Sequence, residues 1–207
     1  MPAKKKATKA SAKPKAKKPE VERAIEPLIV QAALELAAQE GWDAVSSSAV
    51  AKRAGVKLEE IHAICPDKID ILRLLGDELN IAMLEGGEVD GEVRDNLFEL
   101  IMRRLELLQQ HREGVLAVVT ALKRDPAMAL KLAGEFNDTL GHILAMAGVS
   151  ASPLHRAGLA ALELAVFKAW CEDESADLAA TMAELDRRLG QLEQLAQTLE
   201  PLLKRAA

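Results

Sequence analysis

Residues Gly41 to Leu72, GWDAVSSSAVAKRAGVKLEEIHAICPDKIDIL, constrain the fold more than any other stretch, because two short helical segments, a glycine turn and a third helix start follow one another within it. Ser46, Ser47 and Ser48 offer hydroxyls to the unpaired amides of a helix start, and Val50, Ala51 and Ala54 follow at helical spacing. Gly55 ends that helix, since glycine adopts the left-handed conformation without steric cost, and Val56 fills the corner. Leu58, Ile61 and Cys65 give the next segment one inward stripe, which Pro66 closes by disfavouring helical geometry at the residue before it. Asp67 then caps a third helix whose Ile69, Leu72 and Leu75 face inward. Two helices joined by such a turn form the unit whose second member can lie in the DNA major groove, and an ordinary helical corner has the same spacing.

Gly41, Asp43, Ala44, Val50, Ala51, Lys52, Ala54, Gly55, Val56, Ile61, Pro66, Lys68 and Leu72 fall without a gap where the N-terminal domain of TetR-family transcriptional regulators has its recurring residues. The upstream segment Ile29 to Glu40, IVQAALELAAQE, also resembles that family's first helix. The resemblance implies a DNA-binding head carried on a larger ligand-sensing and dimerising body. The chain departs from the pattern where DNA is usually touched: His62 stands at the position of a phosphate-contacting tyrosine, Cys65 at that of a phenylalanine, and Glu59 and Glu60 replace small residues. Carboxylates on a groove-facing surface repel phosphates, although glutamate can accept a hydrogen bond from the cytosine amino group. Helix starts expose free amides to phosphate, so Ser46, Ser47, Lys57, His62 and Lys68 are the candidate DNA contacts, each with an ordinary capping or surface role as the alternative.

Charge along the chain is uneven. The net charge is −5, yet residues 1–18 hold eight lysines and no acid, leaving 19 basic against 32 acidic residues elsewhere. Residues 1–19 form a Lys/Ala/Pro tail with little to bury, expected to be disordered. Such a block can add sequence-blind affinity for DNA, touch anionic lipid or serve only solubility. Residues 21–80 carry six basic and eleven acidic side chains, fewer cations than most phosphate-bound headpieces.

With 49% hydrophobic and 2% aromatic residues over 207 positions, the composition favours helix packed on helix, and no segment alternates as a strand does. The expected fold is all-α, with a helix-turn-helix domain over residues 20–85, a break at GGEVDGE (86–92), and a helical body over 92–207. No apolar run reaches the ~20 residues needed to span a bilayer, and no signal peptide is visible, so a cytoplasmic protein is expected.

Within the body, Val93, Leu97, Leu100, Ile101, Leu105 and Leu108 mark one helix, Val115 to Leu122 a second, Ala127 to Ala147 a third, and residues 148–153 a loop. Leu154 to Trp170 is apolar on most of its surface and is expected to be largely buried. Leu178, Met182, Leu185, Leu189, Leu192, Ala196, Leu199 and Leu203 step by four and three along one seam. The two C-terminal segments together suggest the four-helix homodimer interface of TetR-family proteins, with an intramolecular bundle as the alternative. A second resemblance lies in WCEDESADLAATMAELDRRL, residues 170–189, and in HREGVL, residues 111–116. Both are similar to the TetR-fold lipid-binding accessory protein of ubiquinone biosynthesis, which implies a lipid-binding role without operator recognition. Ser175 as a helix cap, with Asp177 in the positive first turn, accounts for part of that motif structurally.

No nucleophile elbow, phosphate-binding glycine loop or paired metal-ligating histidines occurs, so neither enzyme activity, metal nor cofactor is expected. Cys65 and Cys171 suit neither a disulfide framework nor a zinc cluster. Phe98, Met102, Phe136, Met146, Phe167 and Trp170 are candidates to line a pocket for an apolar small molecule or lipid, or else plain core.

Overall fold

The computed structural model describes residues 20–206, with side chains for 24–198. The lysine tail and the seam positions Leu199 and Leu203 lie outside the described side chains. The described chain is all-α. The head comprises α1 (Glu20–Glu40), a 3-10 turn (Trp42–Ala44), α2 (Ser47–Ala54), α3 (Leu58–Ile64) and α4 (Lys68–Glu85). The body comprises α5 (Val93–Gln110), α6 (Arg112–Arg124), α7 (Pro126–Met146), α8 (Pro153–Glu172) and α9 (Ala179–Ala206).

Local signals set the head. Ser46 Oγ accepts the amide of Ala49 at 3.3 Å, and Gly55 ends α2 at φ +70°. Asp67 accepts the amide of Ile69 at 3.3 Å while its own amide donates to Asp70 at 2.8 Å, a reciprocal cap at the start of α4. Trp42, Val45, Val50, Ile61, Cys65, Ile69 and Leu72 close the small core beneath these turns. Leu58 departs from the expected inward stripe: it is 39% exposed, whereas Ile61 and Cys65 are buried and Ile64 packs against the core.

α1 is buried on two faces. Ile29, Ala33, Leu36 and Ala37 are buried on one face with Ile25 packed beside them, and Val30 and Leu34 are buried as well, because α6 lies across α1. Gly114 makes that crossing possible, since a Cβ there would sit 2.3 Å from the carbonyl oxygen of Leu34.

α4 is fastened along its length. Its N-terminal Lys68 donates to the carbonyl of Trp42, and Arg73 bridges Asp70 (2.7 Å) and Glu135 of α7 (2.8 Å). At its C-terminus Arg103 of α5 donates to the carbonyls of Met83 (3.0 Å) and Gly87 (2.9 Å). Residues 86–92 form the expected break, yet one continuous hydrophobic core runs from α1 to α9.

The C-terminal helices differ from expectation in two respects. The seam residues Leu178, Leu185 and Leu189 are buried inside this chain, where α9 packs on α8 and α5, so this first part of the seam serves the intramolecular bundle. α8 is not largely buried: Leu159, Leu162, Val166 and Trp170 face the core, while Leu154 and Leu164 are 54% and 64% exposed on the opposite side.

Glu78 of α4 lies beside Glu26 of α1 at the head's joint. Burial and then the neighbouring carboxylate push its carboxyl up to about 7. A carboxyl whose folded pKa is raised gives full stability below its unfolded value near 4.5 and loses it as pH rises through about 7. Glu78→Gln is therefore expected to stabilise the protein at pH 8 by roughly 1–2 kcal/mol, the half-exposed setting discounting the full shift. The gain should vanish near pH 4.5, as denaturant melts at the two pH values would record.

Candidate functional site

α2 and α3 meet at the Gly55 turn and present Ser46, Lys57 and His62 to solvent on the outer side of the head. Ser47, in the first turn of α2, is half-buried. Lys57 stands at the N-cap of α3, and its amide donates to the Glu60 carboxylate at 2.8 Å. Glu60 is thus drawn back onto its own helix terminus, where the amides and the positive dipole end offset its charge. Glu59 remains exposed beside Leu58 and His62.

Lys68, at the start of α4, is half-buried and engaged with Trp42. Its ammonium sits 4.7 Å from the ring centroid of Trp42 and donates to that residue's carbonyl, and burial lowers its pKa against the pull of Asp43. Arg53 is held by Glu35 (3.2 Å) and Gln39 (2.8 Å) on α1. The outward cations at the turn are Lys52 and Lys57. Of the five candidate contacts, Ser46, Ser47 and Lys57 lie at the starts of α2 and α3, His62 lies in the last turn of α3, and Lys68 packs against Trp42 at the start of α4.

The six candidate pocket residues do not converge. Met102 and Trp170 are core, Trp170 wholly buried and stacked on Phe167 with centroids 5.5 Å apart. Met146 packs against the core from α7. Phe136 lines an open, mostly apolar cleft of about 480 Å³ between α7 and α8, with Leu140, Pro153, Ala157 and Arg156. Phe98 lines a separate cleft of about 320 Å³ under the Arg94–Asp186 ion pair. The polar groups Asn80 of α4, Arg104 of α5, Thr139 of α7 and Glu163 of α8 come from four different helices and share no spacing, so the sequence does not mark them together.

The corner between α8 and α9 is built around Asp173, 4% exposed. One carboxylate oxygen accepts from the amide and hydroxyl of Ser175, and the other from the amide (2.8 Å) and hydroxyl (2.7 Å) of Thr181. Burial alone would raise this carboxyl's pKa, but the four hydrogen bonds outweigh it and hold it well below the usual carboxylate range. Ser175 Oγ in turn accepts the amide of Ala179 at 3.0 Å. Leu178 completes the turn at φ +57°, a left-handed conformation costly for leucine and held by its burial. Arg112 docks on the same corner, donating to the carbonyls of Trp170 (2.7 Å) and Cys171 (3.1 Å) with its guanidinium 4.9 Å from the indole centroid.

The family model for bacterial regulatory proteins of the tetR family matches residues 29–61, from α1 into α3. A TetR transcriptional regulator from Nitrosomonas europaea superposes with a TM-score of 0.69 at 25% identity, covering 80% of this chain and 96% of that one. A TetR transcriptional regulator from Rhodococcus sp. RHA1 gives 0.61 at 20% identity, covering 84% and 97%. A tetR-family regulator from Streptomyces coelicolor gives 0.58 at 17% identity, covering 88% of each chain. No curated protein matches the chain.

Proposed function

We infer that this chain, whose head is a TetR-family helix-turn-helix domain on a TetR-like helical body, is a DNA-binding transcriptional regulator that acts as a two-fold dimer and responds to a small molecule. The observation that carries this reading is the capped turn at Ser46, Gly55 and Lys57, which leaves α3 exposed on the outer side of the head. Lys57, at a helix start with free amides, is suited to a phosphate, with Ser46 and Ser47 at the start of α2 serving the same purpose. His62, Glu59 and the exposed Leu58 are the side chains available to base edges, Glu59 to a cytosine amino group and Leu58 to a thymine methyl. Lys68 is engaged with Trp42.

The test is binding of the Lys57→Ala and His62→Ala variants to operator and to unrelated DNA. Lys57→Ala should weaken both and reduce the salt slope by about one, whereas His62→Ala should act mainly on the operator, by about 1–3 kcal/mol if it reaches a base. Equal affinity of either variant and the parent chain for operator would remove that residue from the interface.

Dimerisation is assigned to the outer stripe of α8, Leu154, Ala157, Ala161 and Leu164, with the projecting half of α9 around Leu195, because the first part of the C-terminal seam, through Leu189, is occupied within the chain. Two heads so joined can address half-sites about one helical turn apart, and a ligand acts by favouring a spacing that no longer fits them. Leu164→Glu should yield a monomer by sedimentation at a concentration where the parent chain is dimeric; an unchanged mass would exclude this face.

The lipid-binding reading without operator recognition retains the acidic head in its favour. Its C-terminal motif, however, has a structural task at nearly every position: Trp170 is core, Asp173, Ser175 and Thr181 form the corner, and Asp186 pairs with Arg94 at 2.6 Å. The apolar cleft at Phe136 is the place where an apolar molecule would enter between α7 and α8.

A further inference from the structure

Two clefts on the body differ in charge. In the cleft of about 320 Å³ beside Phe98, the guanidinium of Arg94 is already neutralised by Asp186 at 2.6 Å. The cleft of about 480 Å³ between α7 and α8 also has a guanidinium in its wall, that of Arg156, and no carboxylate pairs with it among the described residues. Phe136, Leu140, Pro153, Ala157 and Ala160 supply most of the remaining wall. Such a volume lies within the range of small-molecule sites, which are mostly apolar with a few placed polar groups.

Backbone contacts hold Arg156 in position. Its Nε donates to the carbonyl of Ala151 in the α7–α8 loop at 3.3 Å, and its Nη1 donates to the carbonyl of Asn137 on α7. Gly141 leaves room for the guanidinium to lie against α7, where a Cβ would run into it. The two carbonyls orient the fork without cancelling its charge, and the other N–H donors of the guanidinium have no acceptor among the described residues. The side chain is half-buried, so a molecule in the cleft can still reach it. An oriented guanidinium with no carboxylate, set in an apolar wall, is complementary to a molecule with an acid at one end and a hydrocarbon at the other.

We propose that the α7–α8 cleft binds a small amphiphilic monocarboxylate, whose carboxylate pairs with Arg156 and whose hydrocarbon lies against Phe136, Leu140 and Ala160. One cation neutralises one charge, which favours a carboxylate over a phosphate dianion. This deepens the small-molecule response inferred above and rests on that reading for its effect on DNA binding.

The experiment is calorimetric titration of the full chain with octanoate, decanoate and dodecanoate below their micellar concentrations, with decanol and decylammonium as controls. At least one carboxylate should bind saturably, with both controls at least ~10-fold weaker, the loss expected for a charge-assisted hydrogen bond. Arg156→Met should weaken the carboxylate to the level of decanol. Arg156→Lys, which keeps the charge and loses the fork, should fall between Arg156→Met and the parent chain. Asn137 lines the cleft from an exposed position on α7, so Asn137→Trp should keep the fold, fill the cleft and weaken carboxylate binding at least ~10-fold. No saturable carboxylate binding, equal binding of either control, or parent-like affinity in Arg156→Met or Asn137→Trp would each overturn the proposal. Operator binding by the unliganded parent chain is measured separately: its absence would sink the regulator reading and leave the site standing.

Discussion

Gly114→Ala is expected to destabilise the protein by about 3 kcal/mol, at the upper end of what overpacking costs. The added Cβ would lie 2.3 Å from the Leu34 carbonyl oxygen, 2.8 Å from its carbon and 2.9 Å from its Cα. All three atoms are backbone within α1, so no rotamer change relieves the contact, and α6 must move off α1. For a chain of this size the melting temperature should fall by roughly 10 °C. Because the clash is with the main chain, Leu34→Ala should add its own loss to that of Gly114→Ala rather than rescue it. A melt of the single and double variants reads this directly; a drop below ~1 kcal/mol in the single variant would mean that α1 and α6 are not held at this distance. As α6 belongs to the body and α1 to the head, operator affinity should fall with the same substitution.

Asp173→Ala should cost about 2–4 kcal/mol, because it removes the shared acceptor of four donors, among them the buried hydroxyl and amide of Thr181. Asp173→Asn should cost less, since one oxygen remains to serve either Ser175 or Thr181. Linkage gives the pH dependence. The carboxyl's pKa is depressed in the folded state, so its contribution is fully present above the unfolded value near 3.9 and is lost as pH falls below that. Acid denaturation of the parent chain should therefore be steeper below pH ~4 than that of Asp173→Asn, and superimposable acid melts of the two would contradict the assignment.

The head was legible because its instructions are local. Ser46, Gly55, Pro66 and Asp67 each act on amides or dihedrals within four residues, and the structure uses Ser46, Gly55 and Asp67 as caps where sequence placed them. Burial by a distant partner was not legible. Nothing near Val30 and Leu34 announces that α6, some eighty residues on, covers them, although the glycine in HREGVL is the complementary mark. Periodicity in α9 said that a stripe is buried, not by what; the same chain's α5 and α8 take its first part, and the outward apolar positions fall on α8 instead. Lys68 read as a cation at a helix start, and only the folded position of Trp42 engages it. The cluster around Arg104 escaped because its members lie on four helices, where spacing carries no information.

The measurement that bears most directly on the central claim is binding of the full-length protein, and of a chain lacking residues 1–18, to fragments of its own upstream region at ~150 mM salt, where sequence-blind affinity is largely suppressed. Saturable, sequence-dependent binding that survives loss of the lysine tail is the predicted result, and assigns readout to α2 and α3. Binding that disappears with the tail, or none to any fragment, would contradict operator recognition by this head.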